Sequence, residues 1–218
     1  MSLFGSKNEE LTPELLLSGY AAGIFPMAKS HSDPSYFWVS PEIRGILPLE
    51  TFHTPRRLNK TIRTGIFEIR YNTSFEDVLK FCSEPIETRP ETWINPLIEK
   101  AVVKLFKMGY AHSVETWYKG ELVGGLYGIA IGGAFFGESM FSRFRDASKV
   151  SLVHLVRHLR LSGFTLLDIQ FFTKHLSQFG AIEVPSHIYI QDLNKALQIQ
   201  SVSFNKALSS MNLYKQTD

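Results

Sequence analysis

Two carboxylates and one amide lie where an apolar interior is expected. Glu138 interrupts the apolar run 135–141, and Asp168 and Gln170 interrupt a second run at 164–172. Charged residues rarely occupy such runs unless they are paired or functional. Carboxylates placed in this way can bind an amine, accept its proton or orient a substrate. Ion pairing or backbone capping explains a single buried carboxylate equally well, so it is the group of three that favours a site.

The elements that must position these groups lie between residues 132 and 172. The pattern predicts a strand, a loop, an amphipathic helix over 148–161 and a second strand over 164–172. Side chains two residues apart on a strand share a face, so we expect Asp168 and Gln170 to point the same way and Leu167 and Ile169 to point oppositely. The two strands would bring Glu138 toward the same region.

Signals for the remaining elements are local. Thr12 followed by Pro13 predicts a helix through Tyr20, and Asn95 followed by Pro96 predicts one through Met108. The Lys119-Gly120 pair between two apolar runs predicts a β-hairpin. The run 25–41 is rich in turn formers and is predicted to be an ordered loop that closes a small N-terminal lobe. We expect the first ten residues to be frayed and the polar tail after Gln198 to be loose.

Five ordered motifs give the chain a resemblance to a known family. They are GIFP at 23–26, FWVSPEIRGILP at 37–48, TWI at 92–94, GYAHSVETWYKGELVGGLYGIAIG at 109–132, and GESMFSR at 137–143 with the following Ala-Ser-Lys helix start and LLDIQF at 166–171. In this order and spacing they resemble the bacterial leucyl/phenylalanyl-tRNA–protein transferases, over about residues 14 to 192.

The resemblance implies a fold and an activity. The antiparallel strands and central helix already indicate an α+β protein. The family implies a small N-terminal lobe at 1–40 and a catalytic domain at 41–218, like GCN5-related N-acyltransferases and with a mostly antiparallel sheet. It implies transfer of leucine or phenylalanine from Leu-tRNA or Phe-tRNA to the α-amine of proteins that begin with Arg or Lys, which marks them for degradation by the N-end rule pathway.

The same resemblance implies roles for individual residues. Asp168 would attract the incoming amine and take its proton, directly or through Gln170, while Gln170 orients the nucleophile and Glu138 orients the aminoacyl-adenosine. Whether Asp168 is a base or only a positioning group stays open. Trp93 and Met27 would contact the terminal adenosine, although many relatives have tryptophan at position 27, and Trp93 could instead pack in the core. The apolar side-chain pocket would be walled by Leu126, Phe135, Met140, Leu155, Leu159 and Leu167, for which plain core packing is the alternative.

A basic segment follows at 54–63. It holds Arg56, Arg57, Lys60 and Arg63, three of which share a face of a predicted helix. Composition alone favours a solvated helix face. The resemblance reverses that preference, because the family's tRNA-binding patch lies in this segment.

Other functions have weaker support. An acyl-CoA-dependent N-acyltransferase of the same fold needs a glycine-rich loop for pyrophosphate, and the loop 142–148 contains no glycine. A non-catalytic tRNA-binding module would leave the three polar residues without a role. His154 and His158 have metal-ligand spacing but lack the glutamate of HExxH, so we expect surface or packing histidines and no metal site.

Composition sets broad limits. The chain has 218 residues, a formal charge of +2 and one cysteine, Cys82, which excludes an internal disulfide or a multi-cysteine zinc site. The charge is too small to indicate nucleic acid by itself. No basic-then-apolar leader and no apolar run of about 18 residues occur. We expect a cytoplasmic monomer that needs no cofactor and does not associate with membranes.

Overall fold

The computed structural model describes residues 10–87 and 90–205, together with the backbone of residues 2–6. The strands are β1 (Ser2–Ser6), β2 (Phe25–Met27), β3 (Tyr36–Ser40), β4 (Ile43–Ile46), β5 (Glu68–Tyr71), β6 (Ala111–Tyr118), β7 (Glu121–Ile131), β8 (Ala134–Ser142), β9 (Leu166–Gln170) and β10 (Ile182–Pro185). The helices are α1 (Pro13–Ala21), α2 (Arg56–Arg63), α3 (Phe75–Ser83), α4 (Pro96–Lys107), α5 (Ala147–Ser162), α6 (Lys174–Ser177) and α7 (Ser186–Leu197).

Local capping chemistry explains where several helices begin and end. The Thr12 side chain accepts a hydrogen bond from the Leu15 amide at 3.2 Å, and the Asn95 side chain accepts one from the Ile98 amide at 3.0 Å. Both helices carry proline at the first turn, as predicted. Gly163 ends α5 in the left-handed conformation that favours glycine. The predicted starts of α1 and α4 are therefore confirmed.

The strands form two sheets. The smaller has the order β1-β3-β2, and the larger has seven strands in the order β10-β4-β9-β8-β7-β6-β5. In the larger sheet β8 and β9 pair in parallel and the other neighbours pair antiparallel. The parallel pair requires a crossover connection, which α5 supplies. The protein is thus an α+β structure with a small N-terminal sheet and a larger, mostly antiparallel one.

Helices cover both faces of the large sheet. Helix α5 packs on β6, β7 and β8, whereas α3, α4 and α7 contact other parts of the same strands and their neighbours. Two separate groups of buried apolar side chains result, one containing Leu16, Val102 and Phe136, the other containing Leu155, Phe135 and Leu167. Strand β9 and the first part of β8 are therefore shielded from solvent.

Several local expectations were wrong. The run expected to be an ordered loop contains β2 and β3, and the backbone expected to be frayed forms β1, which pairs with β3. The segment after Gln198 is not loose as far as it is described: Phe204 is buried and stacks on His112 with ring centroids 4.2 Å apart. The remainder of the expected loose tail, 206–218, lies outside the described residues.

Two further sequence expectations concern features of the described ranges. None of the helices there combines the length and apolar composition needed to cross a bilayer. His158 is buried, and its Nε2 atom lies 2.7 Å from the carbonyl oxygen of Phe204, which fits the predicted packing role.

Candidate active site

A cavity of about 410 Å³ opens beside the middle of β8 and the end of β9. Glu138 and Gln170 line it, so these two predicted site residues meet in one place. Its apolar wall contains four of the predicted pocket residues: Leu126, Met140, Leu155 and Leu167. Met27 and Trp93 also line it, from the N-terminal sheet and from the turn before α4. The cavity combines a mostly apolar lining with a few polar groups, as small-molecule sites usually do.

A β-bulge directs Glu138 toward this cavity. Tyr127 pairs with Ser139 and Gly128 pairs with Gly137, which leaves Glu138 as the extra residue on β8. Bulges bend a strand and redirect a side chain, and they are frequent beside active sites. The sequence signal for this bulge is Gly137, because a glycine inside a strand often marks a bulge.

Glu138 is held by two partners. Its Oε1 atom accepts a hydrogen bond from Gln170 Nε2 at 3.0 Å, and its carboxyl group also shares a hydrogen bond with the Tyr20 hydroxyl from α1. The pKa of Glu138 is raised to about 8, chiefly by burial and to a smaller extent by the nearby charge of Asp168. The hydrogen bond from Tyr20 and the charge of Arg44 lower the same pKa but do not cancel the effect of burial.

Asp168 has no exposed surface and does not line the cavity. Its Oδ2 atom lies 2.6 Å from Arg44 Nη2 and accepts a hydrogen bond from the Tyr189 hydroxyl at 2.7 Å. Its Oδ1 atom accepts hydrogen bonds from Arg44 Nε at 3.0 Å and from the Gln170 amide at 2.8 Å. The ion-pair explanation considered for a single carboxylate therefore describes Asp168.

Gln170 connects the two carboxylates. Its backbone amide binds Asp168 while its side chain binds Glu138. Gln170 has φ 56°, a left-handed conformation that is uncommon for a residue other than glycine. The hydrogen bond to Asp168 stabilises this conformation, which ends β9 and carries the Gln170 side chain to the cavity.

Arg44 was missed by the sequence analysis. It is 1% exposed, and its guanidinium lies 4.6 Å from the centroid of Phe25 and 4.5 Å from that of Tyr189. Its Nη1 atom also donates to the carbonyl oxygen of Gly23 at 3.0 Å. Burial is the largest single influence on the pKa of Arg44 and would lower it, but the charge and hydrogen bonds of Asp168, with smaller contributions from Tyr189 and Glu138, together raise that pKa. The sequence signal that could have identified Arg44 is its position as a charged residue between Ile43 and Ile46 on an apolar strand.

Two predicted pocket residues lie elsewhere. Phe135 and Leu159 are fully buried and do not line the cavity. Phe135 instead stacks on Phe204, with ring centroids 5.6 Å apart. Residues that the sequence analysis did not single out complete the cavity lining, among them Phe25, Leu152, Phe171 and Leu176.

The basic segment forms α2 as predicted. Arg56, Arg57, Lys60 and Arg63 are all exposed, whereas Leu58 on the same helix is buried. Arg57 borders a second cleft together with Arg145 and Lys149, where Lys149 also pairs with Asp146 at 3.0 Å. His175 borders both this cleft and the cavity, so the two openings adjoin at this residue.

Known proteins match this chain over most of its length. Residues 46–194 match the family described as leucyl/phenylalanyl-tRNA protein transferase, and residues 9–42 match its N-terminal domain. A leucyl/phenylalanyl-tRNA–protein transferase of Paramagnetospirillum magneticum (strain ATCC 700264 / AMB-1) is 58% identical over 187 residues, which is 86% of this chain and 90% of that protein.

Solved structures show a more distant similarity. L-PGS from Bacillus licheniformis is 13% identical with a TM-score of 0.42, and the match covers 71% of this chain but only 51% of that one. A conserved Staphylococcus epidermidis ATCC 12228 protein of unknown function is 11% identical with a TM-score of 0.43, over 84% of this chain and 68% of that one.

Proposed function

This chain belongs to the leucyl/phenylalanyl-tRNA protein transferase family and is an aminoacyl-tRNA–protein transferase, and we propose that it moves leucine or phenylalanine onto proteins beginning with Arg or Lys. The observation that carries this proposal is the apolar cavity with Glu138 and Gln170 at its polar side. A leucine or phenylalanine side chain matches the apolar wall, and its ester carbonyl would lie near the polar groups. The modified proteins would enter the N-end rule degradation pathway.

The chemistry asks little of the protein beyond placement. An aminoacyl ester is already activated, so no cofactor is needed to drive transfer to an amine. Holding the amine and the ester in a reactive geometry can supply about 7 to 11 kcal/mol of the barrier. In this assignment Asp168 fixes Gln170, Gln170 orients the incoming amine, and Glu138 faces the aminoacyl end.

The cavity lining suggests how the terminal adenosine is held. Met27 and Trp93 both line the cavity, and a base could lie against the indole ring. A thioether is polarizable and can also pack on a base, but it offers less stacking surface than an aromatic ring. We assign both residues to the adenosine contact.

The exposed cations of α2 would bind the acceptor arm through its phosphates, a contact that positions RNA without selecting its sequence. Replacing Arg57 and Lys60 with alanine should raise the KM for Leu-tRNA and reduce the log–log salt slope by about 0.7 to 0.9 per lost phosphate contact. Transfer from a minimal aminoacyl-adenosine should be unchanged. A matched pair on α4, Lys100→Ala with Lys107→Ala, controls for loss of charge. Equal losses with both substrates would make α2 a structural helix only.

Three further features are part of the proposal. We assign residues 1–40 to a small N-terminal lobe and 41–218 to a catalytic domain of the GCN5-related N-acyltransferase type. We expect the protein to act as a monomer. We expect it to be cytoplasmic, where aminoacyl-tRNA is available.

One assay tests the acceptor and donor together. The purified protein is given Leu-tRNA, Phe-tRNA or acetyl-CoA with a peptide that begins with Arg or Lys, and the N-acetylated form of the same peptide is the control. We expect leucine and phenylalanine transfer to the free peptide only, with no acetyl transfer. Acetyl transfer without tRNA-dependent transfer would overturn the proposal in favour of an acyl-CoA enzyme.

A further inference from the structure

We propose that Glu138, held by Tyr20 and Gln170, accepts the proton that the incoming α-ammonium group must lose and returns a proton to the leaving 3′-oxygen of the tRNA. The inference rests on the proposed function, because it concerns the amine and the ester of that same reaction. It assigns the proton transfer to Glu138 and leaves Asp168 as a positioning residue.

The contacts of Asp168 argue against a proton acceptor at that position. Both of its oxygens already accept hydrogen bonds, from Arg44, Tyr189 and the Gln170 amide. Asp168 is also absent from the cavity lining. A proton placed on it would leave the Arg44 guanidinium buried without a counterion, which is costly in a protein interior.

Glu138 differs in both respects. Its carboxylate lines the cavity and has hydrogen bonds with only the Gln170 side chain and the Tyr20 hydroxyl in the described part of the chain. An ionised carboxylate has about four lone-pair positions, so acceptor capacity remains. An ammonium group in the cavity could therefore reach Glu138 without displacing a structural partner.

The charged and titratable groups around Glu138 come from five elements. Tyr20 on α1, Arg44 on β4 and Asp168 on β9 act on it directly, Tyr127 on β7 lies beside Tyr20, and His175 on α6 lines the same cavity. Burial is the largest influence and raises the pKa of Glu138 to about 8. A free α-amine has a pKa of about 8 as well, and proton transfer is most effective when the two pKa values match near the working pH.

The proposed steps balance. The ammonium group gives one proton to the Glu138 carboxylate, and the neutral amine attacks the ester carbonyl carbon to form the C–N bond. The C–O bond to the 3′-oxygen then breaks, its electron pair leaves with that oxygen, and Glu138 donates its proton there. The second proton of the attacking nitrogen passes to Glu138 and then to water, so the net products are the amide, the free tRNA and one released proton.

Three variants test the inference. Glu138→Gln keeps the shape but cannot accept a proton, Tyr20→Phe removes the hydrogen bond that lowers the pKa of Glu138, and Tyr36→Phe is a matched control on β3. For each folded protein kcat is measured at saturating Leu-tRNA and peptide, from about pH 6 to about pH 9, which spans the pKa of an α-amine. The amine is the same throughout, so differences between profiles belong to the protein.

We expect Glu138→Gln to lower kcat by about 10²- to 10⁴-fold, the usual range for an acid–base group, with the KM for Leu-tRNA retained. We expect Tyr20→Phe to move the acidic limb of the profile to higher pH and Tyr36→Phe to leave it in place. A folded Glu138→Gln variant with near-wild-type kcat would overturn the inference. If the Glu138→Gln variant does not fold, a Tyr20→Phe variant whose pH profile of kcat is not shifted would overturn the inference. The proposed function is tested separately, by which acceptor peptides the wild-type protein modifies. The role of Glu138 is tested by comparing the same variants with whichever of these acceptors the wild type uses.

Discussion

Glu115 on β6 and Glu138 on β8 are carboxylates of the same sheet in different surroundings. Glu115 has no exposed surface, and both of its carboxylate oxygens accept hydrogen bonds. The donors are the amides of Thr73 and Ser74, the hydroxyls of Thr73 and Ser113, and Trp117 Nε1. Glu138 has fewer partners and faces a cavity. A buried carboxylate whose acceptor sites are filled holds the backbone together, whereas one with free capacity beside a cavity can act on a ligand.

The difference extends to the neighbours of each glutamate. We call Asn72, Thr73, His112, Ser113 and Glu115 the edge cluster, and Tyr20, Arg44, Glu138, Asp168 and Gln170 the central cluster. In the edge cluster burial lowers the pKa of His112 to about 4, and in the central cluster burial raises that of Glu138 to about 8. Both groups are therefore biased toward their neutral forms, one at a structural position and one at the cavity.

The largest effect is expected for the ion pair of the central cluster. Asp168→Asn leaves the Arg44 guanidinium without its counterion, so the free energy of unfolding should fall by about 3 to 5 kcal/mol in chemical denaturation. The paired replacement Arg44→Met with Asp168→Leu removes both charges and should recover much of that loss. Transfer by the folded Asp168→Asn protein should fall too, because Gln170 loses its fixed support. A variant with wild-type stability and turnover would remove Asp168 from the site.

Acidification should act on the edge cluster. The pKa of His112 is lowered to about 4 by burial, with a smaller contribution from His158. An unfolded histidine has a pKa of about 6.5, so between these values the unfolded chain binds more protons. The free energy of unfolding should therefore fall as the pH drops from about 6.5 to about 4, by up to about 3 kcal/mol. His158, whose pKa burial also lowers, acts in the same direction.

Two matched variants test this pH effect. His112→Gln removes the buried histidine, and His53→Gln, at an exposed histidine, is the control. We expect the first to flatten the loss of stability between these pH values and the second to leave it unchanged, as followed by thermal denaturation at each pH. Identical pH dependence in all three proteins would show that the edge cluster does not titrate in this way.

The two glutamates should respond oppositely to the same substitution. Glu115→Gln replaces one acceptor oxygen with an amide that faces donors, so we expect a loss of about 1 to 3 kcal/mol in stability. Its kcat should stay close to that of the wild type once the protein is folded. Glu138→Gln should instead lose turnover with little loss of stability. Denaturation and single-turnover transfer measured on both variants give the comparison, and parallel losses in the two would contradict it.

The smallest effect concerns substrate choice. Leu155 lines the cavity, whereas Leu159, one helical turn later, does not. Leu155→Phe should narrow the cavity and reduce the ratio of kcat/KM for Phe-tRNA over that for Leu-tRNA. The corresponding change in the difference between the two transition-state free energies should be at most about 1 to 3 kcal/mol. Leu159→Phe adds the same volume behind the wall and is the control, with an expected cost in stability but not in selectivity. Equal changes in the ratio of kcat/KM for both variants would mean that Leu155 does not form the wall of the side-chain pocket.

Sequence reasoning succeeded where the determining interactions are local. The cap residues Thr12 and Asn95 fix their helices within a few positions, and the Lys119-Gly120 turn, with φ of 51° and 84°, fixes a hairpin. The strand–helix–strand unit that carries Glu138 and Asp168 was also predictable, because its periodicity is complete in one segment. The short strands β2 and β3 were missed, since turn-forming residues surround them and their pairing partners decide their conformation.

The site itself depends on partners that no local pattern identifies. Tyr20 and Tyr189 reach the carboxylates from α1 and α7, so their roles follow only from the assembled fold. The family resemblance placed Phe135 in the pocket wall, but the sequence does not show which buried face of the strand borders the cavity. A bulge at Glu138 likewise changes the direction of one side chain without altering the apolar pattern around it.

The Arg44–Asp168 contact also has a consequence for how the chain folds. Its two residues are separated by 124 positions, and closing so long a loop costs conformational entropy before any contact can compensate for it. Contacts of this range tend to form late, after local helices and hairpins, and contacts absent from the folding transition state govern the unfolding rate. Loss of the ion pair should therefore shorten the lifetime of the native state more than it slows folding, so the durability of the enzyme and the geometry of its site depend on the same bond.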